Sequence, residues 1–202
     1  YLIHVINPEL SYSNYAYLSK VTVGLRNHYD NYAKDIILKY NIPKNKLVVD
    51  LGSNDGSMLE SFKKHGMEVL GVEPAKAISK IAIDNGIPTL NNFFSEEIAS
   101  QILKEKDFAE IIVANYMYAN VHDLVSFTKG VEKLLSNDGI FVIQTGYHPE
   151  QFKLLMFDYI YHEHFSYFSL KSIKRLLEGF GLEVIDASIE KPKGGSLRVI
   201  AQ

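Results

Sequence analysis

Tyr161, His162, Glu163 and His164 put four proton-handling side chains into four consecutive positions. An imidazole titrates near neutral pH, so a positioned histidine can take a proton from a substrate, an effect worth ~10²- to 10⁴-fold in rate. Glu163 can orient such an imidazole or meet a substrate hydroxyl, and Tyr161 can hydrogen-bond an oxygen on which negative charge develops. Alternation along an extended segment places His162 and His164 on one side. A His-x-His pair also suits a metal, but no further ligands follow at clear spacing, so no metal is expected. A lone histidine in an aromatic loop is more often structural; it is the clustering here that argues for catalysis.

A second stretch has the chemistry of a ligand turn. Leu47 to Val49 form an apolar run suited to a central parallel strand, and the run breaks at Asp50-Leu51-Gly52-Ser53-Asn54-Asp55-Gly56. Gly52 and Gly56 allow backbone angles and close approaches that a side chain blocks. Met58, Leu59 and Phe62 then share a helical face, so the turn lies beyond a strand's carboxyl end and at a helix start, where open α/β sheets bind ligands. The turn lacks both the third glycine of G-x-G-x-x-G and a Lys-Ser/Thr pair, and Asp50 and Asp55 would repel a pyrophosphate. S-adenosylmethionine fits better, because it brings a sulfonium and an ammonium and no phosphate. Glu73, at the end of a second strand, can take two ribose hydroxyls; it also stands as a helix cap before Pro74, and both roles can hold at once.

These residues need a frame of alternating elements. Leu25, Tyr29, Tyr32, Ala33, Ile36, Ile37 and Tyr40 have helical spacing, with Pro43 just beyond. After the central strand, Gly66 reads as a C-cap and Glu68 to Val72 as the second strand. A helix through Ala75, Ile78, Ile81 and Ala82 stops at Asn85-Gly86, and Ile87 to Leu90 read as a short strand. Ser95 with Glu96 and Glu97 starts a helix, and Phe108 to Val113 is the fourth strand. A stripe from Val121 to Leu135 is a long helix closing at Asn137-Asp138-Gly139, before a fifth strand over Ile140 to Gln144. The aromatic, histidine-rich stretch from Tyr147 to Tyr167 is long for a compact domain, which points to function. Ser169 caps a helix ended by Gly181. Leu182 to Ile189 and Leu197 to Ala201 then make a hairpin through Lys191-Pro192-Lys193-Gly194-Gly195. The first twenty residues read as a loop rich in Tyr, Ser and Asn.

The whole chain sets bounds. Its 202 residues, 47% hydrophobic, suit one α/β domain with a short appendage. The absence of cysteine excludes disulfides and thiolate metal sites and fits a cytoplasmic protein. A net charge of −3 with no basic run beyond a Lys pair leaves no nucleic-acid footprint. No apolar run approaches a membrane span, and no signal-peptide pattern is present. The oligomeric state is not legible.

Val49 to Gly56, with Gly71-Val72-Glu73-Pro74, resembles the opening of class I S-adenosylmethionine-dependent methyltransferases. Tyr161-His162-Glu163-His164-Phe165-Ser166-Tyr167 and Gly194-Gly195-Ser196-Leu197-Arg198 resemble the sugar C-methyltransferases that act on nucleotide-linked 4-keto sugars. The resemblance implies a three-layer, doubly wound, Rossmann-like α/β fold with a mostly parallel seven-stranded sheet ending in an antiparallel hairpin. It implies His164 as the base, and adenine contacts at Asn92 and Phe93. It places Asn115 and Tyr116 at the methionine moiety and ribose, and Tyr15 and Tyr17 on a Tyr-x-Tyr-x-Ser lid over the sugar. Asp50, Gly52, Asn54, Asp55, Gly56 and Glu73 complete the cofactor set. Arg198 either grips a diphosphate or edges a strand. Relatives carry an acid near Gln144 and a proline near Gly146, and this chain departs from both. They also carry a zinc module before and an α/β region after such a domain. The chain begins at Tyr1, so the expectation is a fragment with a lid over residues 1–24 and a methyltransferase domain over 25–202. The expected activity is C-methylation beside the ketone of a nucleotide-linked 4-keto deoxysugar; the alternatives are O- or N-methylation of another small molecule, or a silent cofactor-binding module.

Overall fold

The computed structural model describes residues 6–12, 15, 17–21, 24–192 and 195–202. Tyr1, Lys193 and Gly194 lie outside these, as do residues 2–5, 13, 14, 16, 22 and 23 of the expected lid. Seven strands form a single sheet: β1 Leu47–Leu51, β2 Glu68–Val72, β3 Thr89–Leu90, β4 Ala109–Asn115, β5 Leu135–Gly146, β6 Val184–Glu190 and β7 Ser196–Ala201. Their order is β3-β2-β1-β4-β5-β7-β6, parallel except where β7 runs antiparallel between β5 and β6. This is the doubly wound, mostly parallel architecture expected.

Alternation along β1 explains the layers. Leu47, Val49 and Leu51 pack on one face with Ile98 and Ile102 of α5 (Glu96–Glu105), Phe127 and Val131 of α6 (Leu124–Leu134), and Ile173 and Leu177 of α8 (Leu170–Glu178). Val48 points the other way, into Tyr29, Tyr32 and Ile36 of α2 (Leu25–Lys39) and Met58, Leu59 and Phe62 of α3 (Ser57–Lys64). Asp50 follows Val48 on that second face, so the strand pleat itself forces a carboxylate into the interior. The caps are where the sequence marks them: Ser95 Oγ accepts from Ile98 N at 3.3 Å, and Ser169 with Ser172 forms a capping box.

Several boundaries move. The third strand is only Thr89–Leu90, because one parallel neighbour on the sheet edge pairs just two residues. The sixth helix starts at Leu124, capped by Asp123, and Asn137 to Gly139 belong to β5 rather than closing that helix. The leading loop contains a short helix, α1 (Pro8–Tyr12), and a 3-10 turn at Ser19–Val21. The long stretch before Tyr167 contains α7 (His148–Lys153) and a 3-10 turn at Phe157–Tyr159. Among the described residues, no helix is long and apolar enough to cross a membrane. The remaining elements are α4 (Lys76–Asp84), on the edge beside β3, and a 3-10 turn at Tyr118–Asn120; a tight turn follows β1.

Gly52 opens that turn with φ 74°, and a Cβ on it would sit 2.8 Å from Met117 Cγ. Gly52→Ala therefore combines left-handed strain with overpacking, and should lower the unfolding free energy by about 2 kcal/mol, read from the urea midpoint. An unchanged midpoint would mean that the turn and the β4 loop separate without cost.

Candidate active site

The carboxyl ends of β1, β2 and β4 open into a cavity of about 820 Å³. Asp50 and Glu73 both line it and are almost fully buried. Glu73 is held from two sides: Oε1 accepts from Ala75 N at 2.8 Å, capping α4, and Oε2 accepts from Asn54 N at 2.9 Å. Burial pushes the Glu73 carboxyl up from its usual range, while those two backbone donors pull it back. Asp50 is raised well above the carboxylate range by burial and then by the charge of Glu73, with no donor opposing.

Two polar groups complete this wall. Ser53 Oγ is buried with no hydrogen-bond partner, and the buried Asn115 carboxamide lies beside the Tyr32 hydroxyl without a well-formed bond. Asn92 and Phe93 line the same cavity, with the Phe93 ring 6.5 Å from that of Tyr12. Asn91, which sequence reasoning passed over, ties this turn to β2 by donating to Glu73 O at 2.9 Å and Pro74 O at 2.8 Å. Asn54 lines the cavity, but its side chain is engaged elsewhere: Oδ1 accepts from Ser19 N, and Nδ2 donates to Tyr17 O. Asp55 and Gly56 do not line it. Asp55 accepts from Ser57 N and Oγ through one oxygen and from Lys20 N through the other. Gly56 (φ 78°) packs against Ile87.

A smaller cavity of about 300 Å³ adjoins the first, and Tyr15, Tyr116 and Asn120 line both. Tyr161, Glu163 and His164 stand on the wall of the small one. The His164 ring donates from Nδ1 to Tyr159 O at 2.9 Å, since a carbonyl can only accept, so in the neutral ring the lone pair is on Nε2. That nitrogen lies 3.3 Å from Tyr161 Oη, with the rings 4.3 Å apart. His162 is not beside His164. Residues 161–164 form a turn closed by His164 N donating to Tyr161 O at 3.0 Å, not an extended segment, and the turn leaves His162 exposed and off both cavity walls.

Tyr17 lines the large cavity and Tyr15 both, their rings 6.4 Å apart. Burial, then the charge of Glu163, pushes the Tyr15 phenol up to about 12. Arg198 lines neither cavity. Gln144 faces Arg198 in the β5–β7 register, and the guanidinium donates to Gln144 Oε1 from Nε and Nη2, both at 3.0 Å. It also pairs with Glu190 at 3.4 Å and lies 4.1 Å over the Tyr32 ring. That grip fixes the amide, whose Nε2 donates to Tyr116 Oη at 2.5 Å and Ser196 Oγ at 3.1 Å. Tyr116 sits in left-handed backbone (φ 57°) at the end of β4. The network of Gln144, Ser196, Glu190 and Tyr32 escaped sequence reasoning; its one signal was a glutamine in place of the expected acid.

Sheet order and a cavity across the ends of β1, β2 and β4 define a class I methyltransferase fold. A family described as a methyltransferase domain matches residues 25–187, and the chain belongs to it. Over 198 residues, 98% of the chain, it is 34% identical to C-methyltransferase NovU of Streptomyces niveus, and it spans 47% of that protein's length. Among solved structures, a SAM-dependent methyltransferase from Archaeoglobus fulgidus superposes with TM-score 0.67 at 15% identity, covering 87% of this chain and 93% of that one. Magnesium protoporphyrin IX methyltransferase from Synechocystis with bound SAM gives 0.62 at 10% identity, covering 96% and 87%. The cofactor is S-adenosylmethionine. The observed cavity suits it: one buried carboxylate that can face a cationic group and another that can accept from hydroxyls, unpartnered Ser53 and Asn115 atoms, and a glycine turn with no room for a Cβ.

The raised Asp50 carboxyl carries a sign that can be measured. A carboxyl whose folded-state pKa is raised costs stability as pH rises from the unfolded carboxylate range through its folded value, where the native state must give up a proton that it holds more tightly. Asp50→Asn should therefore raise the melting temperature of the ligand-free protein near pH 7 and shrink the further rise on adding S-adenosylmethionine. A drop without ligand, or an undiminished ligand response, would contradict this assignment.

Proposed function

We propose that this domain catalyses S-adenosylmethionine-dependent C-methylation beside the ketone of a nucleotide-linked 4-keto deoxysugar, in deoxysugar or polysaccharide biosynthesis in the cytoplasm. The observation that carries the reading is His164, with its lone pair at Nε2, on a small cavity that shares a wall with the cofactor cavity. The likeness to a C-methyltransferase over nearly the whole chain supports carbon as the acceptor. A sugar C–H becomes acidic enough to lose its proton only next to a carbonyl, so transfer to carbon needs both a base and stabilisation of an enolate.

His164 Nε2 takes that proton, and the C–H electron pair moves into the enolate with charge on the ketone oxygen. Tyr161 Oη, 3.3 Å from Nε2, donates to that oxygen, and Glu163 on the same wall meets a sugar hydroxyl. When bound, S-adenosylmethionine supplies an electrophilic methyl group, held with Asp50 at its cationic part, Glu73 at the ribose, Asn92 and Phe93 at the adenine, and Asn115 and the Tyr116 backbone at the methionine end. Tyr15 and Tyr17 cover the substrate side as parts of the lid over residues 1–24. Arg198 acts through Gln144 instead of gripping a diphosphate.

The protein should add one methyl mass to a member of a panel of nucleotide-linked 4-keto sugars. With the demethylated cofactor in place of S-adenosylmethionine, it should exchange the hydrogen beside the ketone for deuterium from heavy water. His164→Asn should slow exchange and methylation by ~10²-fold or more while cofactor binding persists. His162→Asn, changing an exposed ring off both walls, should leave both within a few-fold. Normal methylation by the His164 variant would remove the base from this mechanism; a methyl gain on oxygen or nitrogen would replace the reaction.

A further inference from the structure

We propose that Asn54 and Asp55 are positioning residues for the substrate cavity: their side chains fasten residues 17–20 to the cofactor turn, and through them set the place of Tyr15 and Tyr17. The substrate named in the preceding subsection enters only through the activity arm of the test. Three bonds make the fastening. Asn54 Nδ2 donates to Tyr17 O at 2.9 Å, Ser19 N donates to Asn54 Oδ1 at 2.9 Å, and Lys20 N donates to Asp55 Oδ2 at 2.9 Å. Each joins a side chain of the turn to main chain at least thirty-five residues away, so they fix the register of the segment whatever its side chains are.

Both residues are spent on this task. Asn54 uses both ends of its carboxamide on the segment, while its backbone N–H goes to Glu73 Oε2. It does so from left-handed backbone (φ 49°), which asparagine tolerates better than most residues. Asp55 divides its oxygens, one on the start of α3 through Ser57 and one on Lys20. Downstream of the grip, Tyr17 lines the large cavity, and Tyr15 lines both, with His164 and Tyr161 on the far wall of the small one. The turn after β1, whose Asn54 N–H donates to Glu73 Oε2, thereby also sets one wall of the neighbouring cavity.

Two substitutions separate this grip from cofactor binding. Asn54→Gly suits the backbone angle and deletes two bonds. Asp55→Asn keeps an oxygen for Ser57 and turns an NH₂ against the Lys20 N–H. Loss of one such hydrogen bond shifts the balance by roughly 2- to 10-fold or more. Lys20 is exposed, so brief trypsin digestion, read as release of residues 1–20 by mass spectrometry, reports detachment directly. Each variant should be cut after Lys20 about tenfold faster than the parent, keep its S-adenosylmethionine Kd within about threefold, and lose about tenfold in kcat/KM for the keto sugar. Ser19→Pro deletes a donor from the segment's own side, at the first position of a 3-10 turn where proline fits, and should behave alike even if the turn variants fold poorly.

Unchanged cleavage in all three variants would overturn the fastening. A loss of cofactor affinity matching the loss of activity would make Asn54 and Asp55 cofactor ligands instead. If the parent methylates no sugar of the panel, the proposed reaction fails, while cleavage and cofactor affinity still decide the grip.

Discussion

The burial of two carboxylates side by side is the constraint on which the rest of this molecule depends. Register sets it: β1 and β2 run parallel with Asp50 opposite Gly71, so Asp50 and Glu73 emerge at one end of the sheet. An ionised carboxylate taken out of water costs several kcal/mol after relaxation. Glu73 recovers part of this from the Asn54 and Ala75 N–H groups; Asp50 recovers none and feels Glu73 besides. Such a pair is a poor way to stabilise a fold and a good way to hold a cationic ligand. Packing on both sheet faces, from fully buried residues such as Val49, Leu59, Phe62 and Val131, must carry the cost.

The same constraint shapes the chain around it. A turn that keeps two acids at the mouth of a cavity has little room for side chains, which is why Met117 crowds Gly52. β4 meets the turn with Tyr116 in a strained left-handed conformation, a departure that persists only where surroundings hold it. Gln144 and Arg198 supply that hold. In the β5–β7 register they face one another, and the fork on Gln144 Oε1 leaves only the NH₂ to meet Tyr116. An acid at position 144 would pair its charge with the guanidinium and offer Tyr116 an acceptor; the glutamine offers a donor. Arg198 then relies on Glu190 and the Tyr32 face for its charge balance, so a strand from the hairpin becomes the backing of the active site.

What the sequence disclosed follows the range of the forces involved. Strands and helices came from periodicity and caps, which are local: Ser95, Ser169 and Gly66 mark their helices, and β1 reads as a buried run. The position of Asp50 and Glu73 was legible because one lies near the end of β1 and the other just past β2. The direction of a loop side chain was not. Alternation was the wrong rule for residues 161–164, which turn through a hydrogen bond from His164 N to Tyr161 O. Asp55 read as charge near a ligand, but its oxygens are taken by Ser57 and by Lys20, a partner thirty-five residues distant that no local pattern foretells. Arg198 offered a fork for a phosphate, and only the pairing of β5 with β7 brings Gln144 to fill it.

The acidity of the phenols bears on the proposed chemistry more than any single distance. Tyr15 is pushed up to about 12, and Tyr12, Tyr116 and Tyr161 are raised as well, each first by burial; Glu163 adds its charge at Tyr12, Tyr15 and Tyr161. These four tyrosines therefore keep their protons at neutral pH and can serve as hydrogen-bond donors. Phenols that keep their protons act as donors in the proposed reaction, which leaves the base to the imidazole. An imidazole whose Nδ1 proton is committed to a backbone carbonyl presents its lone pair at the other nitrogen, 3.3 Å from a phenol that keeps its proton. In the proposed reaction, the acid that raises the phenols and the carbonyl that fixes the ring would divide the labour on one wall: donors for a developing oxyanion, and one acceptor for the proton leaving carbon.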